Sequence, residues 1–204
     1  IDPWLVNPLH AKCDEVDFTD RSGEECLMAS VDQVLRQIRS KYKEYGVKDK
    51  PFVVVKADAG SCVRGVVSVR DANELRNLDA GQRARMSVVK AGVPVLGAIL
   101  QEGVPTMETM KDGPAEPLVY LIDRFVVGGF YRVNGERGRY EILNAPGMQY
   151  VPLPFAASCN MPDSSAAPDH AANRFYSYGV VARLAHLAAS IELERTDPDQ
   201  SLYG

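Results

Sequence analysis

Residues 51–65 read Pro51-Phe-Val-Val-Val-Lys56-Ala-Asp-Ala-Gly60-Ser-Cys-Val-Arg-Gly65. Phe52 to Val55 is a short, unbroken run of aromatic and β-branched residues, the pattern of a strand covered on both faces. Lys56 follows where the chain leaves the core. Its aliphatic stem can lie on apolar surface while the ammonium reaches a polyphosphate. Gly60, Ser61 and Gly65 form a loop whose backbone N–H groups can approach the same oxygens. The plainer alternative is a solvated lysine before an ordinary turn, so the neighbouring segments have to decide.

Downstream, Val66 to Val69 reads as a second strand making a hairpin-like unit, and Asp71-Ala-Asn-Glu74 can start a helix. Upstream, Ser22-Gly-Glu-Glu25 introduces a longer helix. Its apolar positions Val31, Val34, Leu35, Ile38, Tyr42 and Tyr45 form a stripe of period 3.6 that Gly46 closes, so this helix is expected to cover a sheet. The opening Asp2-Pro-Trp-Leu-Val-Asn-Pro8 is expected to be extended because of its prolines, with Trp4 as its anchor.

Ala98 to Leu100 forms a further strand that runs into Gln101-Glu102-Gly103-Val104 and halts at Pro105. Leu118 to Ile122 and Phe125 to Val133 are β-rich segments joined at Asp123-Arg124, and Gly128-Gly129 marks a bulge or a close backbone approach. Asn134 to Arg139 is a polar loop. Pro152 to Pro168 has the composition of a long surface loop. A final helix carries Val180, Leu184, Leu187, Ala188 and Ile191 as its expected buried stripe and ends at Asp197-Pro198. This order of elements predicts an α+β fold rather than a doubly wound parallel sheet. Residues 1–50 form an N-terminal segment with a helix, and residues 51–204 a nucleotide-binding region, within one compact unit overall.

The 204 residues are 46% hydrophobic and 25% charged with a net charge of −4, a globular composition with interspersed signs. A nucleic-acid surface is not expected, because the only basic cluster, Arg36 to Lys43, reads as a solvated helix face. No apolar run is long enough to span a membrane, and no signal peptide opens the chain. The expected compartment is the cytoplasm in a bacterium, or an organelle in a eukaryote. The chain opens at Ile1 rather than Met, as a processed product or fragment would. Cys13, Cys26, Cys62 and Cys159 are scattered without metal-ligand spacing and read as free thiols. His10, His170 and His186 read as structural or surface residues.

Four groupings could carry chemistry. Lys56 with Gly60, Ser61 and Gly65 suits phosphates. Gln101, Glu102 and Val104 end a strand whose backbone could bind the edge of adenine, with the acid taking an amino or ribose hydrogen. Glu116, Asp123 and Arg132 surround a hairpin, where Arg132 can hold a phosphate or acyl-phosphate bidentately. Glu141 and Asn144 offer oxygen ligands suited to magnesium shared with ATP phosphates. Each has a plain counterpart in a strand end or a turn. Asn144 can instead contact phosphate, leaving Asp123 or Glu116 nearer the metal.

Several longer stretches carry a resemblance. They are Trp4-Leu-Val-Asn-Pro8, Gly23-Glu-Glu-Cys-Leu27, Pro51 to Gly60, Met86-Ser-Val-Val-Lys90, Val126-Val-Gly-Gly-Phe-Tyr-Arg-Val133, Leu143-Asn-Ala-Pro-Gly-Met148 and Asn173 to Leu184. Through them the chain resembles the C-terminal half of the bacterial ATP-grasp type of glutamate-cysteine ligase. The resemblance implies an ATP-grasp-like fold of antiparallel or mixed sheets with packed helices, ATP and Mg2+ as cofactors, and glutamate and cysteine as substrates. It further implies an acyl-phosphate formed on glutamate, with Lys56 and Arg132 as catalytic residues.

Members of that family are longer, so a missing N-terminal half, or a larger protein assembly, is expected to complete the enzyme. The family's phosphate loop tends to read Gly-Thr-Tyr-Gly-Met-Gly where this chain has Gly60-Ser-Cys-Val-Arg-Gly65. Val63 in place of a glycine motivates an alternative, a catalytically degenerate homologue serving as a structural or accessory subunit. A third reading is an ATP-grasp carboxylate-amine ligase with another acceptor.

Overall fold

The computed structural model describes residues 2–59, 65–87, 95–111, 113–153, 165, 167 and 174–197. The chain divides into two units. The first, Ile1–Met107 with Arg137–Pro146, contains strands β1 (His10–Asp14), β2 (Val53–Ala57), β3 (Val66–Val69) and β4 (Gly97–Glu102). Its helices are α1 (Glu24–Tyr45), α2 (Asn73–Arg76) and α3 (Ala80–Met86). The strands form one antiparallel sheet in the order β1-β4-β2-β3.

Why α1 lies on this sheet follows from its stripe. Leu27, Val31, Val34, Leu35, Ile38 and Tyr42 are buried along one side of the helix. They pack with Val53, Val55, Val69, Ala98 and Leu100 into the main core. Full burial of each such side chain stabilises by about 1.5–3 kcal/mol before entropy is counted. The helix opens with Glu24 and Glu25 and closes with Lys43, charges that suit its dipole. It stops at Gly46, which adopts φ +69° and donates its N–H to the Tyr42 carbonyl.

Strand β2 alternates: Val53, Val55 and Ala57 are buried, whereas Val54 and Lys56 are half-buried. The valine run therefore does not lie in a strand covered on both faces. Antiparallel pairing leaves one face against α1 and the other open. Lys56 stands inside the strand on that open face, one residue before its end.

The opening segment also differs from expectation. Residues Pro3–Leu5 make a turn of 3-10 helix capped by the Asp2 carboxylate, which accepts the Trp4 N–H at 2.9 Å. Pro3 occupies the first position of that turn, where no donor is needed. Strand β1 has no counterpart among the sequence expectations. It is a polar edge strand in which only Cys13 is buried. Cys13 and Cys26 are free thiols with their sulfurs 3.5 Å apart.

The second unit, Glu108–Glu136 with Gly147–Gly204, contains β5 (Glu108–Met110), β6 (Gly113–Ile122), β7 (Phe125–Val133), β8 (Gln149–Pro152) and α4 (Arg174–Thr196). These strands form a second antiparallel sheet in sequence order. Asp123 takes φ +53° at the β6–β7 turn. Tyr120 faces Gly128 while Leu121 faces Val126, so Val127 is the extra residue of a bulge. Phe175 and Tyr178 of α4 pack on Ala115, Tyr131, Val133 and Leu153.

Beyond that contact the expected buried stripe of α4 is not buried among the described residues. Leu184, Leu187 and Ile191 are 56%, 58% and 39% exposed. Only the first turns of the helix cover the small sheet. Most of the expected loop from Pro152 to Pro168 lies outside the described residues, and Pro152 itself ends β8.

Antiparallel sheets with separate helices make the fold α+β. Among the described residues no helix is long and apolar enough to cross a membrane.

Candidate functional site

Pairing register decides which side chains share the open face of the first sheet. Lys56 lies opposite Ile99 and Val66, and Val54 opposite Gln101 and Ser68. Because directly paired residues point the same way, Lys56, Gln101, Ser68 and three apolar neighbours form one surface, facing away from Val53, Val55 and Leu100. Lys56 Nζ donates to Gln101 Oε1 at 2.6 Å. The floor around this pair is Val54, Val66 and Ile99.

At the β3 edge of the same unit lies a cavity of about 720 Å³. Val66 and Ser68 line it from the sheet, Arg85 from α3, and Arg137, Glu141 and Asn144 from the returning segment Arg137–Pro146. Glu141 Oε2 accepts the Gly138 N–H at 2.6 Å, and Oε1 accepts from Arg137 Nη1 at 3.3 Å. The Gly138 N–H, followed by the Arg137 guanidinium, holds the Glu141 carboxyl below its ordinary range, so it is ionised near neutrality. Two guanidinium groups, a carboxylate and an amide on one wall can accommodate a polyanion together with a cation.

The strand end following Gln101 behaves differently. Glu102 projects to the α1 face, where it is 4% exposed. Its Oε2 accepts from Trp4 Nε1 at 2.8 Å and from the Leu9 N–H at 3.0 Å. The Glu102 N–H donates to the Leu9 carbonyl and the Gly103 N–H to the Phe52 carbonyl. These groups tie the strand to its neighbours, while Val104 beyond them is exposed.

In the second unit Glu116 and Arg132 are register partners on β6 and β7. Arg132 Nε and Nη2 both donate to Glu116 Oε2, at 3.0 and 2.6 Å. Asp123 is at the hairpin turn; at about 3.3 Å per residue the strand carries it roughly 20 Å from Glu116, so these two carboxylates do not share a cation. Gly60 and Ser61 lie outside the described residues. Gly65 is described, with φ +76°, and its carbonyl accepts the Ala57 N–H at 2.7 Å.

Arg85 and Arg137 are cavity residues that sequence reasoning missed. Arg85 sits one turn after Gln82 on a short helix, a local signal no different from a solvated face. Arg137 lies in a polar loop whose return to the first unit is a long-range event.

A family model described as GshA, glutamate-cysteine ligase, matches residues 1–193. The chain is also similar to the crystal structure of the "putative gamma-glutamylcysteine synthetase" of Methylobacillus flagellatus KT. The two share 57% identity with a TM-score of 0.83, over 97% of this chain and 46% of that one. This chain thus spans less than half the length of that protein. No curated protein sequence matches it.

Proposed function

The chain belongs to the glutamate-cysteine ligase family, and from that premise we propose that it carries the nucleotide-handling part of an ATP- and Mg2+-dependent ligase joining the glutamate γ-carboxyl to the cysteine amine. The observation that supports this reading best is the Lys56–Gln101 pair on an open sheet face, in a unit that also holds the arginine-lined cavity.

Lys56 has three N–H donors, one committed to Gln101, which leaves two for phosphate oxygens. Gly60, Ser61 and Gly65 would add backbone donors to the same phosphates, and Arg85 and Arg137 would add charge. Gln101 and Val104 are the proposed adenine contacts, whereas Glu102 serves by fixing the strand end. In the second unit Arg132 would exchange Glu116 for a phosphoryl oxygen of the acyl-phosphate.

Magnesium fits the first unit. Among the described residues no three His, Cys, Asp or Glu side chains gather as a closed cage. Magnesium commonly takes only one or two protein ligands and completes its shell with water and phosphate. Glu141 and Asn144 would hold it, and when bound it would offset charge on the phosphates. The acyl transfer needs no side-chain nucleophile, because the cysteine amine attacks the activated carboxyl.

A second reading rests on Val63, which stands where the family's loop has glycine. A β-branched residue tolerates positive φ badly and would hold the backbone away from phosphate. On that reading the chain is an accessory subunit in a larger assembly. Phosphate release measured with Mg-ATP, glutamate and cysteine separates the two. Release that depends on both amino acids supports the ligase and ends the accessory reading. A folded sample that binds no Mg-ATP and releases no phosphate ends the ligase reading for this chain.

A further inference from the structure

On the α1 face of the first sheet, opposite Lys56, is a second cavity of about 470 Å³. Trp4, Val104 and Met107 are among its apolar walls, and Asn7, Tyr42, Asp49 and Glu102 are its residues with side-chain oxygens. Val104 and Met107 are 67% and 78% exposed at its mouth, whereas Glu102 and Tyr42 are 4% and 7% exposed.

Glu102 and Tyr42 form the buried part of the lining. Glu102 is a buried carboxylate with no ion-pair partner among the described residues, and both of its hydrogen bonds fall on Oε2. Its Oε1 has no partner among the described residues. Neither does the Tyr42 hydroxyl, whose acidity is pushed up to about 12 by burial and by the negative charges of Glu102 and Asp49. Asp49 differs, since Tyr140 donates to it at 2.7 Å and Arg139 stands 3.6 Å away. Water reaches Glu102 Oε1 and the Tyr42 hydroxyl from the cavity, since among the described residues Arg139 Nε is the one enclosed side-chain polar atom without a partner, and an ammonium would displace that water. The rings of Trp4 and Tyr42 meet edge-on with centroids 6.2 Å apart and both line the cavity.

We propose that this cavity is a binding site for a small hydrophobic amine. The ammonium donates to Glu102 Oε1 and the Tyr42 hydroxyl, and the apolar body lies against Trp4, Val104 and Met107. Because Glu102 and Lys56 project from opposite faces of the sheet, such a ligand stays clear of the phosphates of the nucleotide proposed above, and Val104 stands at the edge of both sites.

Trp4 is the only tryptophan of the chain, so its fluorescence reports occupancy directly. Titration with 2-phenylethylamine is expected to give a saturable change. Neutral 2-phenylethanol is expected to bind at least about tenfold more weakly, equivalent to about 1.4 kcal/mol. Glu102→Gln retains an acceptor for Trp4 and Leu9 but removes the charge, and should abolish the preference for the amine. Val6→Arg, at an exposed position of the cavity wall, places a cation at the mouth and should weaken the amine several-fold without disturbing the core. No saturation with the amine, equal binding of the alcohol, or unchanged discrimination in both variants would overturn the proposal.

Discussion

Lys56 Nζ and Gln101 Oε1 meet at 2.6 Å although their residues are 45 positions apart. The contact is diagonal across adjacent antiparallel strands, because Val54 pairs with Gln101 and Lys56 with Ile99. It holds a long, flexible side chain over an apolar floor before any ligand arrives, which lowers the ordering cost of binding. Gln101→Leu should therefore weaken Mg-ATP by roughly three- to tenfold, about 0.6–1.4 kcal/mol, while leaving the urea midpoint nearly unchanged. Unaltered nucleotide affinity would show that the glutamine does not position the lysine.

Gly103 and Phe52 pack so closely that a β-carbon at residue 103 would overlap the Phe52 ring. Phe52 is itself 4% exposed and has little room to yield. Gly103→Ala should destabilise the first unit by about 1–3 kcal/mol through overpacking. Urea unfolding monitored by Trp4 emission measures the loss, and an unchanged midpoint would mean that the strand end relaxes freely.

Asp2 binds the Lys41 ammonium at 2.6 Å and the Tyr45 hydroxyl at 2.8 Å. With the Trp4 N–H these contacts lower the Asp2 carboxyl from 3.8 to about 2, the Lys41 hydrogen bond contributing most. The sign follows from linkage: a depressed folded value gives stabilisation that is fully present above the unfolded value and is lost as pH falls through the folded one. The stability difference between the native chain and Asp2→Asn should be constant above about pH 5 and shrink between about pH 4 and 2. A difference that persists undiminished at the acid end would contradict this assignment.

Leu35 and Leu184 look equivalent in the sequence, each on an apolar helical stripe, yet one is fully buried and the other 56% exposed. Leu35→Ala should cost about 2–5 kcal/mol from lost burial and a residual cavity. Leu184→Ala should stay within about 0.5 kcal/mol, as surface substitutions usually do. Parallel denaturation curves test the contrast, and similar losses at both positions would contradict the burial pattern.

That contrast also marks what the sequence made legible. Periodicity identified α1, its terminating glycine and the apolar side of α4, but it cannot say whether anything covers an apolar stripe. The valine run announced β2, and the paired glycines announced a bulge or a close backbone approach, of which the register of β7 shows the bulge, at Val127. Strand β1 escaped notice because an edge strand with one buried residue carries no apolar alternation. Lys56 and Gln101 were both legible as candidates, while their contact depends on register. Glu102 drew attention as an acid at a strand end, but its partners Trp4 and Leu9 lie 98 and 93 residues away. The joining of Arg85 with Glu141 and Asn144 around one cavity likewise depends on a segment that returns across the chain.

The central claim is that the open face bearing Lys56 binds the polyphosphate of a nucleotide. Calorimetric titration of the folded chain with Mg-ATP, in parallel with Lys56→Ala, tests it most directly. The account predicts micromolar binding to the native chain and a loss of at least about thirtyfold, about 2 kcal/mol, in the variant, with both samples unfolding at similar urea concentrations. Equal Mg-ATP affinity in the two folded proteins, or no binding to either, would contradict it.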